Sequence, residues 1–279
     1  MLEEKSIRMP VKMIAMDMDG TMLNSAGKIT RRTLDALRKA MDRGIIVAVD
    51  SGRYPENALC EVTRAGLPLP VIGTNGAKCI TAEGKKLTLH PITESAVAQV
   101  RGMLDAADCH YYMYGDDFLA SSDSGDAHHS EVGMGEEITA RFGFTFLHGR
   151  DEMKYAEGKP VLKFYIWGHP DLSGFAGTLS RLRGISLTRS APTNMEISPA
   201  GVDKATGLEE LAGMYGISLQ DVMTFGDQDN DLPMLLRAGY GYAMANGDPE
   251  VISKVRYTAR SNDEDGIARA VEEMLEKQR

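Results

Sequence analysis

The chain has 279 residues, 43% of them hydrophobic and 25% charged, with a formal net charge of −9. That length supports a sizeable core in one large or two modest domains. The acidic balance argues against a nucleic-acid surface, which is normally basic, but it leaves room for an anionic substrate at a locally positive site.

In chain order, the first residues, Met1 to Lys5, are acidic and mixed, unlike a signal peptide. Met13–Met16 is a short apolar run that stops at Asp17 and reads as a buried strand. Thr30 reads as an N-cap, Leu34, Leu37 and Met41 follow at helical spacing, and Gly44 closes the helix. Ile45–Val49 has the unbroken apolar character of a strand covered on both faces. Pro55 opens a helix with Ala58, Leu59 and Val62 on one face, Gly66 ends it, and Val71–Gly73 is the next strand. The alternation resumes late in the chain. A helix carries Leu208, Leu211, Ala212 and Tyr215, and Val222–Phe225 is a strand. Leu232–Arg237 is a helix, Tyr242–Met244 a strand, and Ile267, Val271 and Leu275 mark a last helix. This order implies a doubly wound, Rossmann-like parallel sheet with right-handed crossovers.

The middle reads differently. Helices are expected at Thr93–Leu104 and Leu172–Arg183, strands at Tyr111–Tyr114 and Leu162–Trp167, and a Gly-, Ser- and acid-rich stretch at Ser121–Glu137. The expectation is an inserted α/β domain at 84–190 within a catalytic core of 1–83 and 191–279. No apolar stretch reaches the roughly 18 residues of a membrane span. The three cysteines, Cys60, Cys79 and Cys109, form no CxxC pair and read as reduced thiols, so a cytoplasmic protein is expected.

Chemistry concentrates at strand ends. Asp17-Met18-Asp19-Gly20-Thr21 places two carboxylates just past a buried strand, at the carboxyl edge where open parallel sheets bind ligands. Carboxylates so close and so buried call for a cation. Taken alone the segment is equally a polar turn. A second cluster, Asp227, Asp229 and Asp231, follows another strand at the same edge, and together the two make an oxygen-rich site suited to Mg²⁺, a hard cation. Ser51-Gly52-Arg53 follows a third strand, where a hydroxyl and a bare N–H can meet a phosphate oxygen, and Lys204 opens a helix. Each of these alone reads as an ordinary turn or a solvated charge.

Jointly and in this order the blocks resemble the haloacid dehalogenase superfamily. The matching residues are DMDGT at 17–21, SGR at 51–53, Lys204 in GVDKATGL and GDQDND at 226–231. The insertion, with TNGA at 74–77 and NMEISPAGVDK at 194–204, is similar to the Cof-type branch with its large α/β cap. The resemblance implies Asp17 as a nucleophile that forms an aspartyl phosphate, and Asp19 as general acid, then base. It implies Mg²⁺ held by Asp17, the backbone carbonyl of Asp19 and Asp227, with Asp231 binding or orienting the metal shell. Ser51, Gly52 and Lys204 would hold phosphoryl oxygens, and Asn75 and Asn230 would line the same pocket. Ser51 stands where Thr is usual, Asp50 where a small residue is, and Asp203 and Ala205 flank Lys204 where Ser and Gly are more typical.

The implied activity is Mg²⁺-dependent hydrolysis of a small phosphorylated metabolite, such as a sugar phosphate, with the cap choosing the substrate. The rivals are a phosphomutase and a non-hydrolytic phospho-acceptor. No nucleic-acid or membrane partner is expected, and the chain is expected as a monomer or small homo-oligomer. His128-His129 with Asp123, Asp126 and Glu131 reads as a solvated loop, without the frame of a transition-metal site. Tyr111, Tyr112 and Tyr114 read as strand packing and Trp167 as cap core.

Overall fold

The structure, a computed structural model, describes residues 11–107, 109–123, 135–168, 171–188 and 193–278. The first sheet is built from β1 (Met13–Met16), β2 (Ile46–Asp50), β3 (Val71–Gly73), β4 (Lys78–Ile80) and β5 (Lys86–Leu89). The second uses β6 (His110–Gly115), β7 (Phe118–Ser121), β8 (Thr145–His148), β9 (Val161–Trp167), β10 (Ile185–Thr188) and β11 (Asn194–Pro199). The chain then returns to the first sheet for β12 (Val222–Gly226), β13 (Tyr240–Met244) and β14 (Tyr257–Ala259).

The first sheet runs β14-β13-β12-β1-β2-β3-β4-β5. It is parallel from β14 to β3, and β4 and β5 are added antiparallel. The chain winds outward from β1 to β3 on one side, then returns to β12 on the other. The switch point therefore lies at β1 and β12, where such sheets bind ligands. Strand alternation feeds two layers of core. Ile14, Met16, Val47 and Val49 face α1 (Arg31–Asp42), α2 (Pro55–Arg64) and α9 (Gly266–Lys277). Met13, Ala15 and Ala48 face α6 (Lys204–Met214), α7 (Leu232–Arg237) and α8 (Pro249–Lys254). The expected start and stop signals operate. Thr30 accepts the Thr33 N–H, and Gly44 and Gly66 follow their helices at positive φ.

The second sheet runs β10-β11-β9-β6-β7-β8, antiparallel except where β7 meets β8. One face, with Tyr111, Met113, Phe164, Ile166, Met195 and Ile197, packs under α3 (Glu94–Ala106) and α5 (Leu172–Leu179). Directly opposed residues share a face, so register sets Tyr112 beside Tyr165 and Tyr114 beside Lys163 on the other side.

Several expectations change. Strand pairing puts Lys86–Leu89 in the first sheet and Asn194–Pro199 in the second, so the chain passes between sheets later than at the expected 84 and 190. Neither strand, the edge strand β5 nor the interior strand β11, carries a long apolar run that would mark it in the sequence. The helix expected to reach Arg183 ends at Leu179. Trp167 belongs to an aromatic cluster with Tyr54, Tyr112 and Tyr114, not to the cap core beneath α3. Of the residues around His128, only Asp123 lies within the described residues, 3.8 Å from His110 Nδ1. All three cysteines are free and buried, and no helix among the described residues is long and apolar enough to cross a membrane.

The two sheets are joined by polar contacts. Tyr54 Oη donates to the carbonyls of Gly115 (2.9 Å) and Phe118 (2.5 Å). Buried Lys78 bridges Glu56 (2.5 Å) and Asp116 (2.9 Å).

Candidate active site

Asp17 and Asp227 leave neighbouring strands at the switch point. Met16 lies opposite Phe225 in register, and the Asp17 N–H donates to the Phe225 carbonyl at 2.9 Å. Alternation sends Asp17 to the face already used by Met13 and Ala15, the α6 side, and there Lys204 opens α6. Lys204 Nζ donates to Asp17 Oδ1 at 2.7 Å and also to Asp231 Oδ1. The other oxygen of Asp231 accepts the N–H groups of Asp227 (2.8 Å) and Gln228 (2.9 Å). Thr21 Oγ1 donates to Asp227 Oδ1 at 2.7 Å. Between them Gly20 sits at φ +77°, where a Cβ would run into the Asp227 carboxylate, so this turn requires glycine.

One oxygen from each of Asp17, Asp227 and Asp231 falls within 4.8 Å of the others. Three carboxylates surround one ammonium. Burial works against the Lys204 charge, yet Asp17, Asp231 and Asp50 outweigh it and hold its pKa above the ordinary range. Burial pushes Asp17 up to about 7; Lys204 pulls it down and Asp231 adds to the rise. Burial also raises Asp227, against the Thr21 hydrogen bond. With all three carboxylates ionised, the all-oxygen set is thus two positive charges short, which fits a hard divalent cation. The Asp19 side chain is not in this group. It is 57% exposed and held by Arg53 through Nε (2.6 Å) and the neighbouring Nη2.

Ser51, Gly52 and Asn230 line the same cavity as Asp17, and Asn75 sits against Gly52 and Asn230. Ser51 Oγ accepts the Arg53 N–H at 3.2 Å, and the Ser51 carbonyl accepts the Asn75 N–H at 3.2 Å. Asn75 is left-handed, at φ 54°, and its Oδ1 accepts from Asn230 Nδ2 at 3.1 Å. Asp203 caps α6 by accepting the Thr206 N–H at 2.8 Å, which fixes Lys204 at the first position of that helix. Asp50 continues the Ile46–Ala48 face toward α6, fully buried. Neither of its carboxylate oxygens has a hydrogen-bond partner among the described residues. Burial pushes its pKa well above the usual carboxylate range, against the pull of Lys204.

A cavity of about 370 Å³ opens from Asp17 toward the second sheet. Several features of the site were not read from the sequence. Arg53, which lines the cavity, and Thr21, which holds Asp227, lie inside recognised blocks but carried no assigned role. Tyr114, expected only as packing, lines the wall, as do Lys163 and Glu196. Lys163 did carry a signal, a lone charge inside the apolar run Val161–Trp167.

This chain belongs to the haloacid dehalogenase-like hydrolases, whose family model matches residues 14–271. It is 27% identical to the 5-amino-6-(5-phospho-D-ribitylamino)uracil phosphatase YwtE of Bacillus subtilis, covering 96% of this chain and 99% of that one. It is 30% identical to the phosphatase YcsE of the same organism, named for the same substrate, over 94% of each chain. Among solved structures, a phosphatase of this superfamily from Bacteroides thetaiotaomicron superposes with a TM-score of 0.80 at 25% identity, covering 99% of this chain and 98% of that one.

Proposed function

We propose that the chain is a Mg²⁺-dependent phosphatase that hydrolyses phosphate monoesters of small metabolites, sugar phosphates among them, through an aspartyl phosphate on Asp17. The observation that carries this reading is the Lys204 bridge between Asp17 and Asp231, beside Asp227, at the switch point of the sheet. The relatives' named substrate, a phosphate ester of a ribityl chain, is of the same chemical class.

Asp17 attacks phosphorus, and the bond from phosphorus to the leaving oxygen breaks. Asp19 at the rim gives its proton to that oxygen, then takes one from the water that attacks the aspartyl phosphate. The bond from phosphorus to Asp17 breaks, and inorganic phosphate leaves. Ser51 Oγ, the Gly52 N–H and the Lys204 ammonium donate to the non-bridging oxygens throughout, with Asn75 and Asn230 lining the pocket beside them. Asp17, the Asp19 carbonyl and Asp227 would hold Mg²⁺. Asp231, whose oxygens already serve Lys204 and two backbone N–H groups, orients the set. When bound, the cation would supply Lewis-acid contact to a phosphoryl oxygen.

Turnover in H₂¹⁸O tests the reading. The expected result is one solvent oxygen in each phosphate released, with no bisphosphate activator required. Isomerisation of a sugar phosphate without labelled phosphate would replace hydrolysis by mutase chemistry, and a stable phosphoprotein without turnover would make the chain an acceptor.

A further inference from the structure

Lys163 and Glu196 stand on neighbouring strands of the second sheet, β9 and β11, on the face turned to the cavity. Their side chains are only 4% and 12% exposed, and Lys163 Nζ lies 3.5 Å from Glu196 Oε2. Each also reaches across to a different loop of the first sheet. Lys163 Nζ donates to the Gly52 carbonyl at 3.0 Å, and Glu196 Oε2 accepts from Asn75 Nδ2 at 2.9 Å. Gly52 and Asn75 belong to the loops that flank the phosphate position. The pair therefore spans the phosphate cradle from above and forms the surface that the leaving group must meet. Tyr114 lies under the Lys163 ammonium, 4.4 Å from ring centroid to Nζ, and holds it in place.

We propose that Lys163 and Glu196 are the specificity-determining pair of this site, selecting phosphate esters whose leaving group is a neutral, hydroxylated chain. The inference rests on the phosphatase reading above and adds the substrate class. The pair carries one positive and one negative charge, so it does not favour a second phosphate or an ammonium. What it offers is hydrogen bonding: a carboxylate that accepts and an ammonium that donates, at the depth where the first carbons of the leaving group lie. A chain of hydroxyls satisfies both. An apolar or plain aromatic leaving group displaces the water around these charges and replaces none of its hydrogen bonds, a penalty that falls on every turnover. By the same neutrality, the Lys163–Glu196 pair is not itself the second anion site that a bisphosphate intermediate needs.

The test compares ribitol 5-phosphate with p-nitrophenyl phosphate, each with Mg²⁺, in the wild type and in Glu196→Gln. Gln keeps the shape and loses the charge. The selectivity ratio, kcat/KM for ribitol 5-phosphate over that for p-nitrophenyl phosphate, is expected to fall about 100-fold in the variant, the loss of hydrogen bonds to a charged group. Lys163→Met should lower the same ratio in the same direction. Residual hydrolysis of p-nitrophenyl phosphate reports that each variant is folded. Equal losses on both substrates, or an unchanged ratio, would overturn the selectivity role while leaving the phosphatase intact. Failure of the wild type on every ester would overturn the phosphatase reading and this one with it.

Discussion

The floor and the wall of one cavity handle buried charge in opposite ways. The floor crowds Asp17, Asp227 and Asp231 around a single ammonium and stays short of positive charge. The wall sets one ammonium against one carboxylate and is neutral. A floor in deficit suits a metal ion, whose charge offsets the carboxylates and lets an anionic phosphoryl group approach. A balanced wall suits a neutral leaving group, which it can distinguish only by hydrogen bonds and shape. On the proposed reading, reaction and selectivity are divided between two charge balances on two sheets.

The sharpest way to break this comparison is at the floor. Asp17→Asn should lower kcat at least 1000-fold for every substrate alike, because the amide is neither nucleophile nor good metal ligand. Circular dichroism and the melting temperature should show an intact fold. Retention of a tenth of wild-type activity, or a loss confined to one substrate, would mean that the floor does not carry the chemistry.

Metal removal tests the charge deficit. Chelation should stop turnover, Mg²⁺ should restore it, and Ca²⁺ should substitute poorly because its geometry is looser. The metal must displace the proton from Asp17, which burial raises to about 7. Apparent Mg²⁺ affinity should therefore climb with pH by about tenfold per unit below that value and level off above it. Calorimetry should show proton release on binding at pH 6 and little at pH 8. Affinity independent of pH between 5 and 8 would count against the deficit.

The smallest effect separates the site from its surroundings. Asp50 lies under the floor, outside the cavity, with no hydrogen-bond partner for its carboxylate among the described residues. Its pKa is raised on folding, so the folded state favours the proton. The group costs nothing below the ordinary carboxylate pKa and destabilises progressively as pH rises toward its folded value. Asp50→Asn should then gain on the wild type as pH rises from 4 to 8, by about 1–3 kcal/mol. Denaturant unfolding at several pH values reads this directly, and a difference that does not grow with pH would refute it.

Much of the floor was legible because its signals are local. A buried strand that ends in Asp17-Met18-Asp19-Gly20 announces paired carboxylates at the ligand-binding edge of the sheet, whereas the need for glycine at position 20 comes from the distant Asp227. The helices with clear caps and glycine stops, such as Arg31–Asp42 and Pro55–Arg64, were equally readable. The strands Lys86–Leu89 and Asn194–Pro199 were not: the first is a half-exposed edge strand defined by its neighbour more than by its own residues, and the second, though interior, is broken by Glu196 and Ser198 and so shows no apolar run.

The sequence by itself determined the order of the parallel core, the acidic strand ends and the family chemistry they imply. Those depend on residues within a few positions of one another and on periodicities that no distant contact is needed to see. Only the tertiary structure decided that Arg53 grips Asp19, that Asp50 is buried near Lys204 with no hydrogen-bond partner among the described residues, and that Lys163 and Glu196 close over the phosphate cradle. Lys163 meets Gly52 across 111 positions and Glu196 meets Asn75 across 121. A lysine in an apolar strand announces a buried charge, but what neutralises it is set by the docking of one sheet on the other, which no local pattern encodes.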